Sequence, residues 1–434
     1  MFQTKFAKII GVFICLFFLQ PQTSHAQGAN AAPVADTLRV DIKQAEKLFL
    51  DHNLQLLAQK YNVNASKALI MQARLYPNPN FNIEQGAYNP ETGKWFQTNS
   101  QGEEAYQLTQ LIVLTRKIHK QVNIAETNYK LAEDNLYDML RTLKLALRST
   151  FYNIYYLRQT ARVYDEEIVA LKRVVDAYKA VQGKGYVSEA EIVQVQAQLY
   201  SLQNEYQALI DNINDAESQL RLVLQASPTI FIVPVVPEGI ENADPLAYSL
   251  KSLVDSAYAN RTDLMIAKDN VVLSEQTFTY QKALAVPDIT LGAAYDRQGS
   301  YVKDFNAATL GFDIPIFNRN QGNIKNARIL MDYNNSQLQL TQKALEEQVA
   351  RGFQKAIDAD KLYKGIDGSF SSNFDRLAQA MLSHYMERDV NLLTFLTFYD
   401  SYKQNVVQLN TILYNKVNAL ENLNFITGTN FFNK

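Results

Sequence analysis

The sequence predicts a mainly α-helical chain with a small β part, built as a duplicated half-molecule. Three observations carry this. One pattern occurs twice: Asn53-Leu54-Gln55-Leu56 opens a stretch that ends at Pro77-Asn78-Pro79, and Arg261-Thr262-Asp263-Leu264 opens another that ends at Pro287. Leu56 and Leu264, Lys60 and Lys268, Asn62 and Asn270, Val63 and Val271, and Pro79 and Pro287 all stand at one offset of about 208, too long a period for a solenoid unit. Each copy then continues with two short segments of alternating polarity, and each ends in a very long run poor in glycine and proline.

The elements follow in order. Lys5 and Lys8, the apolar core Ile9 to Leu19 and the small residues at Ser24-His25-Ala26 read as an export signal over 1–26. Its core is too short to span a bilayer as a helix. Residues Gln27 to Thr37 are rich in Ala and Pro and read as a flexible leader. The first repeat covers 27–226. Asp41 is a plausible N-cap for a helix to about Leu75, which Pro77 and Pro79 stop. Period-two alternation places strands at about 79–89 and 103–113. Residues 118–181 hold no glycine or proline, so a helix there would run nearly 100 Å. Within it Ala125, Tyr129, Ala132, Leu136, Met139 and Leu143 step by four and three, as do Ile154, Leu157, Ala161, Tyr164, Ile168, Leu171, Val175 and Tyr178. That is coiled-coil spacing, with a change of phase near Leu147 to Phe151. A return helix follows over about 189–224, and the proline-rich stretch 227–245 links the halves. The second repeat, 246–428, gives a helix to about Leu284, strands at about 287–296 and 306–317, and long helices at about 324–385 and 392–426. Gly352, Gly365 and Gly368 are weak points of the first of these long helices.

Composition excludes several classes. The only cysteine, Cys15, lies in the signal, so the exported chain has no disulfide, thiolate site or cysteine nucleophile. Loss of Lys5 and Lys8 moves the net charge from −2 to about −4, which does not suit nucleic acid. No later run of about 18 apolar residues exists, so no transmembrane helix is expected. No zincin or serine-hydrolase string occurs, and Gly183-Lys184-Gly185 lacks the Ser/Thr of a phosphate loop. No enzyme, cofactor or metal site is expected. His52, His119 and His384 are far apart in sequence, none with a histidine at helical spacing.

Four strands of about ten residues suit a bilayer-spanning β-structure. Four strands cannot close a barrel, however, and an open edge in lipid strands backbone groups at several kcal/mol each. If these strands enter a membrane, several chains must share one barrel. A soluble four-stranded sheet capping a helical rod remains the alternative.

The residues also resemble a known family. Ala259-Asn260-Arg261-Thr262-Asp263-Leu264 is close to a recurrent A-N-R-P-D-L string, and Pro315-Ile316-Phe317-Asn318-Arg319-Asn320-Gln321-Gly322 to P-[LI]-F-x-R-N-Q-G. Gln110-Leu111-Ile112-Val113-Leu114-Thr115-Arg116-Lys117 is a degenerate first-half form without the proline and glycine. On these strings the chain resembles the outer-membrane factor (TolC-like) family, nearest its heavy-metal-efflux (CzcC-like) branch, over nearly the whole exported length. The resemblance implies a homotrimer, with a twelve-stranded barrel in outer-membrane lipid and an α-barrel of long coiled-coil helices crossing the periplasm. It implies a passive exit duct fed by an inner-membrane pump through a periplasmic adaptor, with metal cations as a candidate substrate.

The resemblance also places the functional residues. The helix-to-helix turns become periplasmic tips, where the duct closes and meets its adaptor. The first is Gly183, Lys184, Gly185, Tyr186, Val187 and Ser188, with glycine supplying positive φ and Ser188 a cap. The second is Glu387, Arg388, Asp389, Val390 and Asn391, with Arg388 where the family usually has glycine. Thr394 and Thr397 stand where some members carry acidic rings; Glu189 and Glu191 are the nearest bore acids, although a first-turn helix role also suits them. Pro315, Phe317, Arg319, Asn320, Gln321 and Gly322 form the strand-to-helix junction motif. Two other functions stay open: a periplasmic adaptor, which usually has one helical hairpin flanked by β-rich domains, and an exported coiled-coil scaffold without a pore.

Overall fold

The computed structural model describes residues 37–181, 188–299, 301–366 and 368–432. The expected signal peptide, most of the leader, and Gly183, Lys184, Gly185, Tyr186 and Val187 of the first tip lie outside the described residues.

The chain begins with β1 (Thr37–Val40), followed by α1 (Ile42–His52) and α2 (Leu54–Ala73). Asp41 caps α1 in a reciprocal capping box with Gln44. The single helix expected from Asp41 to Leu75 is thus two. Asn53 leaves the helical region (ψ 115°), accepts a hydrogen bond from the Leu56 amide, and donates to the Val223 carbonyl at 2.9 Å. The second half breaks at the matching point, between α5 (Leu250–Asn260) and α6 (Thr262–Leu284). There Arg261 is extended (ψ 122°) and donates to the Ile426 carbonyl. The duplicated string therefore marks a joint, fixed in each half by a long-range bond to the end of a returning helix.

The stretch 227–245 is more than a connection. It contains β6 (Phe231–Pro234), paired in parallel with β1 from Thr37↔Phe231 to Val40↔Pro234, and the 3-10 turn Ile240–Asn242; a second such turn, Pro245–Ala247, starts at its end. Ile232 and Val40 insert into the largest core, with Phe49, Leu147, Phe151, Tyr152, Leu220 and Val417.

The main sheet has four antiparallel strands in the order β2 (Asn80–Gln85), β5 (Glu104–Ile112), β7 (Ile289–Asp296) and β8 (Phe305–Phe312). The two halves join at β5–β7, from Ala105↔Asp296 to Ile112↔Ile289. Two expected strands are shorter. β2 stops at Gln85, and the chain passes through Gly86 into a hairpin of β3 (Tyr88–Asn89) and β4 (Lys94–Trp95). β8 stops at Phe312, short of Pro315, which has no N–H for a ladder.

The helices are α3 (Lys117–Val181), α4 (Glu189–Leu224), α7 (Gln321–Lys364), α8 (Gly368–Met386) and α9 (Leu392–Thr427). The 65 residues of α3 span about 97 Å. The helix expected over 324–385 is two, α7 and α8, broken at the weak point Gly365. The phase change in α3 has a cause. Before it, Thr127 and Lys130 bond to Gln276 and Asp269 of α6; beyond it, Arg158 pairs with Glu217 of α4, and Thr160 accepts from Asn410 of α9. Where partners change, Leu147, Phe151, Tyr152 and Ile154 are all fully buried, so the helix is apolar on more than one side.

Candidate functional site

The sheet register sorts side chains into two unlike faces. One carries Phe81, Ile83, Tyr106, Leu108, Ile112, Ile289, Leu291, Ala293, Tyr295, Leu310 and Phe312, with Gln85, Glu104, Gln110 and Asn306 as polar members. The other carries Asn80, Asn82, Glu84, Gln107, Thr109, Thr290, Asp296, Thr309 and small residues such as Gly292 and Ala294, with Leu111 and Phe305 as its large apolar members. The apolar face is bare within the chain: Ile83 is 64% exposed and Leu310 65%. Burying a side chain of this size is worth about 1.5–3 kcal/mol, so a row of them left open calls for an apolar surrounding. Phe81, Tyr106 and Tyr295 form an aromatic row across three strands, with ring centroids 6.4 and 6.3 Å apart. An outward apolar band, a polar inner face and an aromatic girdle are the marks of a strand set in an outer membrane. Within the chain, β2 and β8 each have a free edge. No helix among the described residues is long and apolar enough to cross a membrane.

The junction motif builds a turn. Asn320 sits at φ 58° as N-cap of α7 and donates through Nδ2 to the backbone and side-chain oxygens of Gln281, each at 2.8 Å. Its Oδ1 accepts from Asn323, and Gln321 Oε1 accepts from the Arg319 amide. Phe317 is 90% exposed beyond the last strand, and Ile314 and Ile316 before it are exposed as well. Gly322 has open space where a Cβ would stand. The degenerate first-half motif reaches the same turn with Thr115 and Arg116 both at positive φ. Lys117 then locks it by donating to Val286 O and Asp288 Oδ1 at 2.6 and 2.8 Å.

At the far end, Ser188 and Glu191 form a capping box: Ser188 Oγ accepts from the Glu191 amide, and Glu191 Oε2 accepts from the Ser188 amide at 3.0 Å. This is the helix-start role that Glu191 was also expected to suit. Glu189 is exposed in the first turn.

The turn between α8 and α9, expected as the second tip, is a Schellman turn. The Asp389 amide reaches the His384 carbonyl at 2.9 Å and the Arg388 amide the Tyr385 carbonyl at 3.1 Å. Arg388 is left-handed, at φ 69°. This is the conformation for which glycine is favoured, and a side chain there costs on the order of 1–2 kcal/mol. Asn391 then caps α9 by accepting from the Thr394 amide at 2.9 Å. The turn brings His384, Glu387 and Asp389 together on one exposed patch. Just above it, Tyr385 stacks on Phe395 at 4.2 Å, and its hydroxyl is hydrogen-bonded to that of Tyr178. Burial, followed by the Tyr178 bond, holds the Tyr385 hydroxyl well above the usual phenol range. This bond ties the end of α3 to the end of α8, hence one hairpin to the other.

Sequence reading missed three groups: the Tyr178–Tyr385 tie, the company of His384, and Glu167. Glu167 is 1% exposed, and neither carboxylate oxygen has a hydrogen-bond partner. Burial pushes its pKa up to about 8; Asp400 and Glu205 add to this and Lys403 opposes it. Lys403 itself is held by Glu205 and Asp400 at 2.8 and 3.1 Å. The signal for Glu167 was its place three residues after Tyr164 and four before Leu171, on the apolar stripe.

The chain thus joins an open four-stranded sheet with one apolar side to long helical hairpins. Residues 47–225 match the model of the outer membrane efflux protein family. It is similar to the cobalt-zinc-cadmium resistance protein CzcC of Cupriavidus metallidurans, 22% identical over 334 residues, covering 72% of this chain and 73% of the relative. Its fold is similar to the Campylobacter jejuni CmeC outer membrane channel, with a TM-score of 0.73 at 14% identity, covering 90% of this chain and 86% of that one. It is also similar to the open state of the Neisseria gonorrhoeae MtrE outer membrane channel, with a TM-score of 0.67 at 14% identity and coverage of 90% and 89%.

Proposed function

We propose that three copies of this chain form a passive exit duct. Their four strands each would close a twelve-stranded barrel in the outer membrane, β8 of one copy pairing with β2 of the next. Their helical hairpins would continue the bore through the periplasm as an α-barrel. An inner-membrane pump, working through a periplasmic adaptor docked at the tips, would deliver the solute and supply the energy. Metal cations are the substrate class that the likeness to CzcC favours. The duct catalyses nothing; it removes the cost of moving a charged solute through hydrocarbon.

The observation that carries this reading is the apolar sheet face with a free edge on each side. In lipid each unpaired backbone group costs several kcal/mol, so the sheet is satisfied only when neighbours complete it. The test is to isolate outer membranes, extract the chain in detergent, measure its mass by light scattering and record conductance in planar bilayers. A trimer with discrete conductance steps is expected. A chain that stays monomeric in water without detergent would overturn the reading.

A further inference from the structure

We propose that the second tip is a binding site for a divalent transition-metal ion, held by His384, Glu387 and Asp389. One donor atom of each residue lies within 4.8 Å of the other two, and His384 Nδ1 stands 3.4 Å from Asp389 Oδ2. A tetrahedral ion with bonds of about 2.0–2.1 Å sets its donors roughly 3.3–3.4 Å apart. The imidazole and the Asp389 carboxylate already stand at that spacing. Glu387, exposed and on a flexible side chain, has only to swing inward by a fraction of its length.

The backbone holds the ligands in place. His384 and Asp389 are five residues apart, a spacing that puts side chains on different faces of a continuous helix. They meet because Arg388 turns left-handed and the Asp389 amide bonds back to the His384 carbonyl. The Asn391 cap fixes the far side of the same turn. The ligand set is mixed, and its chemistry selects the ion. Carboxylates alone suit calcium and magnesium, whereas an imidazole beside them favours zinc, cobalt, nickel or copper. Three protein donors leave a fourth position open to water, so the ion would exchange rather than be entombed. Binding would clamp the last turn of α8 to the loop that follows. The site stands on the chain's own side chains and does not depend on the duct reading.

The test uses the full-length exported chain, purified and titrated with Co2+ in the presence of excess Mg2+. Visible d–d absorption is the readout, and Zn2+ the competitor. Saturation at one Co2+ per chain, displaced by Zn2+, is expected. His384→Ala and Asp389→Asn should each weaken binding by more than about tenfold, since loss of even an outer-shell partner costs about 10–100-fold. His119→Ala, an exposed histidine elsewhere, should leave it unchanged. All three positions are exposed, and circular dichroism would verify that the variants keep their fold. No saturable Co2+ signal over excess Mg2+, or a signal that survives His384→Ala, would overturn the proposal.

Discussion

Replacing Glu167 with glutamine should stabilise the helical hairpins at about pH 9 and barely change them near pH 5. The carboxyl has an ordinary pKa of 4.5 in the unfolded chain and one of about 8 in the fold. Below 4.5 both states hold the proton and the group is neutral to stability. Between 4.5 and 8 the fold keeps the proton while the unfolded chain has lost it, so stability falls as pH rises through that window. Each pH unit is worth about 1.4 kcal/mol, so above pH 8 the burden is on the order of 5 kcal/mol per chain. Lys403 does not cancel it, because its ammonium is shared between Glu205 and Asp400. Glutamine keeps the shape and cannot ionise, so the burden disappears. The assay is thermal or guanidinium unfolding of wild type and Glu167→Gln in matched detergent at about pH 5, 7 and 9. The gap between them should widen with pH. A gap of constant size would refute the assignment of a strained, ionisable Glu167.

Two further outcomes are expected. Leu291→Arg places a charge on the apolar sheet face and Thr290→Arg on the polar one; near the bilayer centre the former should cost about 2–4 kcal/mol per chain. Trimer yield in outer membranes should fall for Leu291→Arg alone, and equal loss in both would contradict the facing. Tyr385→Phe removes the bond to Tyr178 while keeping the stack on Phe395. At about 1 kcal/mol per neutral hydrogen bond, opening without an adaptor should become roughly fivefold easier per chain, read as higher open probability in planar bilayers. Unchanged gating would rule out the tie as a latch.

Much of the fold was legible because long helices and a duplication leave strong local marks. The absence of glycine and proline over 118–181 left α3 little alternative, and the Pro287 and Pro315 junctions bounded the later strands. What was not legible depends on distant atoms. The joint at Arg261 carries no capping chemistry of its own and is held by Asp263 and by a carbonyl 165 residues away. β6 was hidden by prolines on either side, although Pro234 closes its strand without needing an N–H. The Ser188-x-x-Glu191 capping box was readable as a helix start. The His384 patch escaped a search for paired histidines because its partners are carboxylates at i+3 and i+5, joined by a left-handed arginine that no local preference suggests.

The duplication also explains where the two halves are free to differ. Each half must supply two strands in register with the other, a joint tied to its returning helix, and a left-handed turn where strand becomes helix. At those points the solutions match in geometry while differing in residue: Asn53 and Arg261, Thr115–Arg116 and Asn320. The shared sheet enforces this, since a slip of one residue at β5–β7 would put Leu108 on the opposite face from Leu291. No such constraint reaches the tips. In sequence one has two glycines, while the other has a strained Arg388, a histidine and two carboxylates. In the proposed trimer each chain would bring one of each kind, and the Tyr178–Tyr385 bond joins the end of α3 to the end of α8. Opening would then require the two kinds of hairpin to part, so a change at the second turn would be felt by both hairpins through that bond.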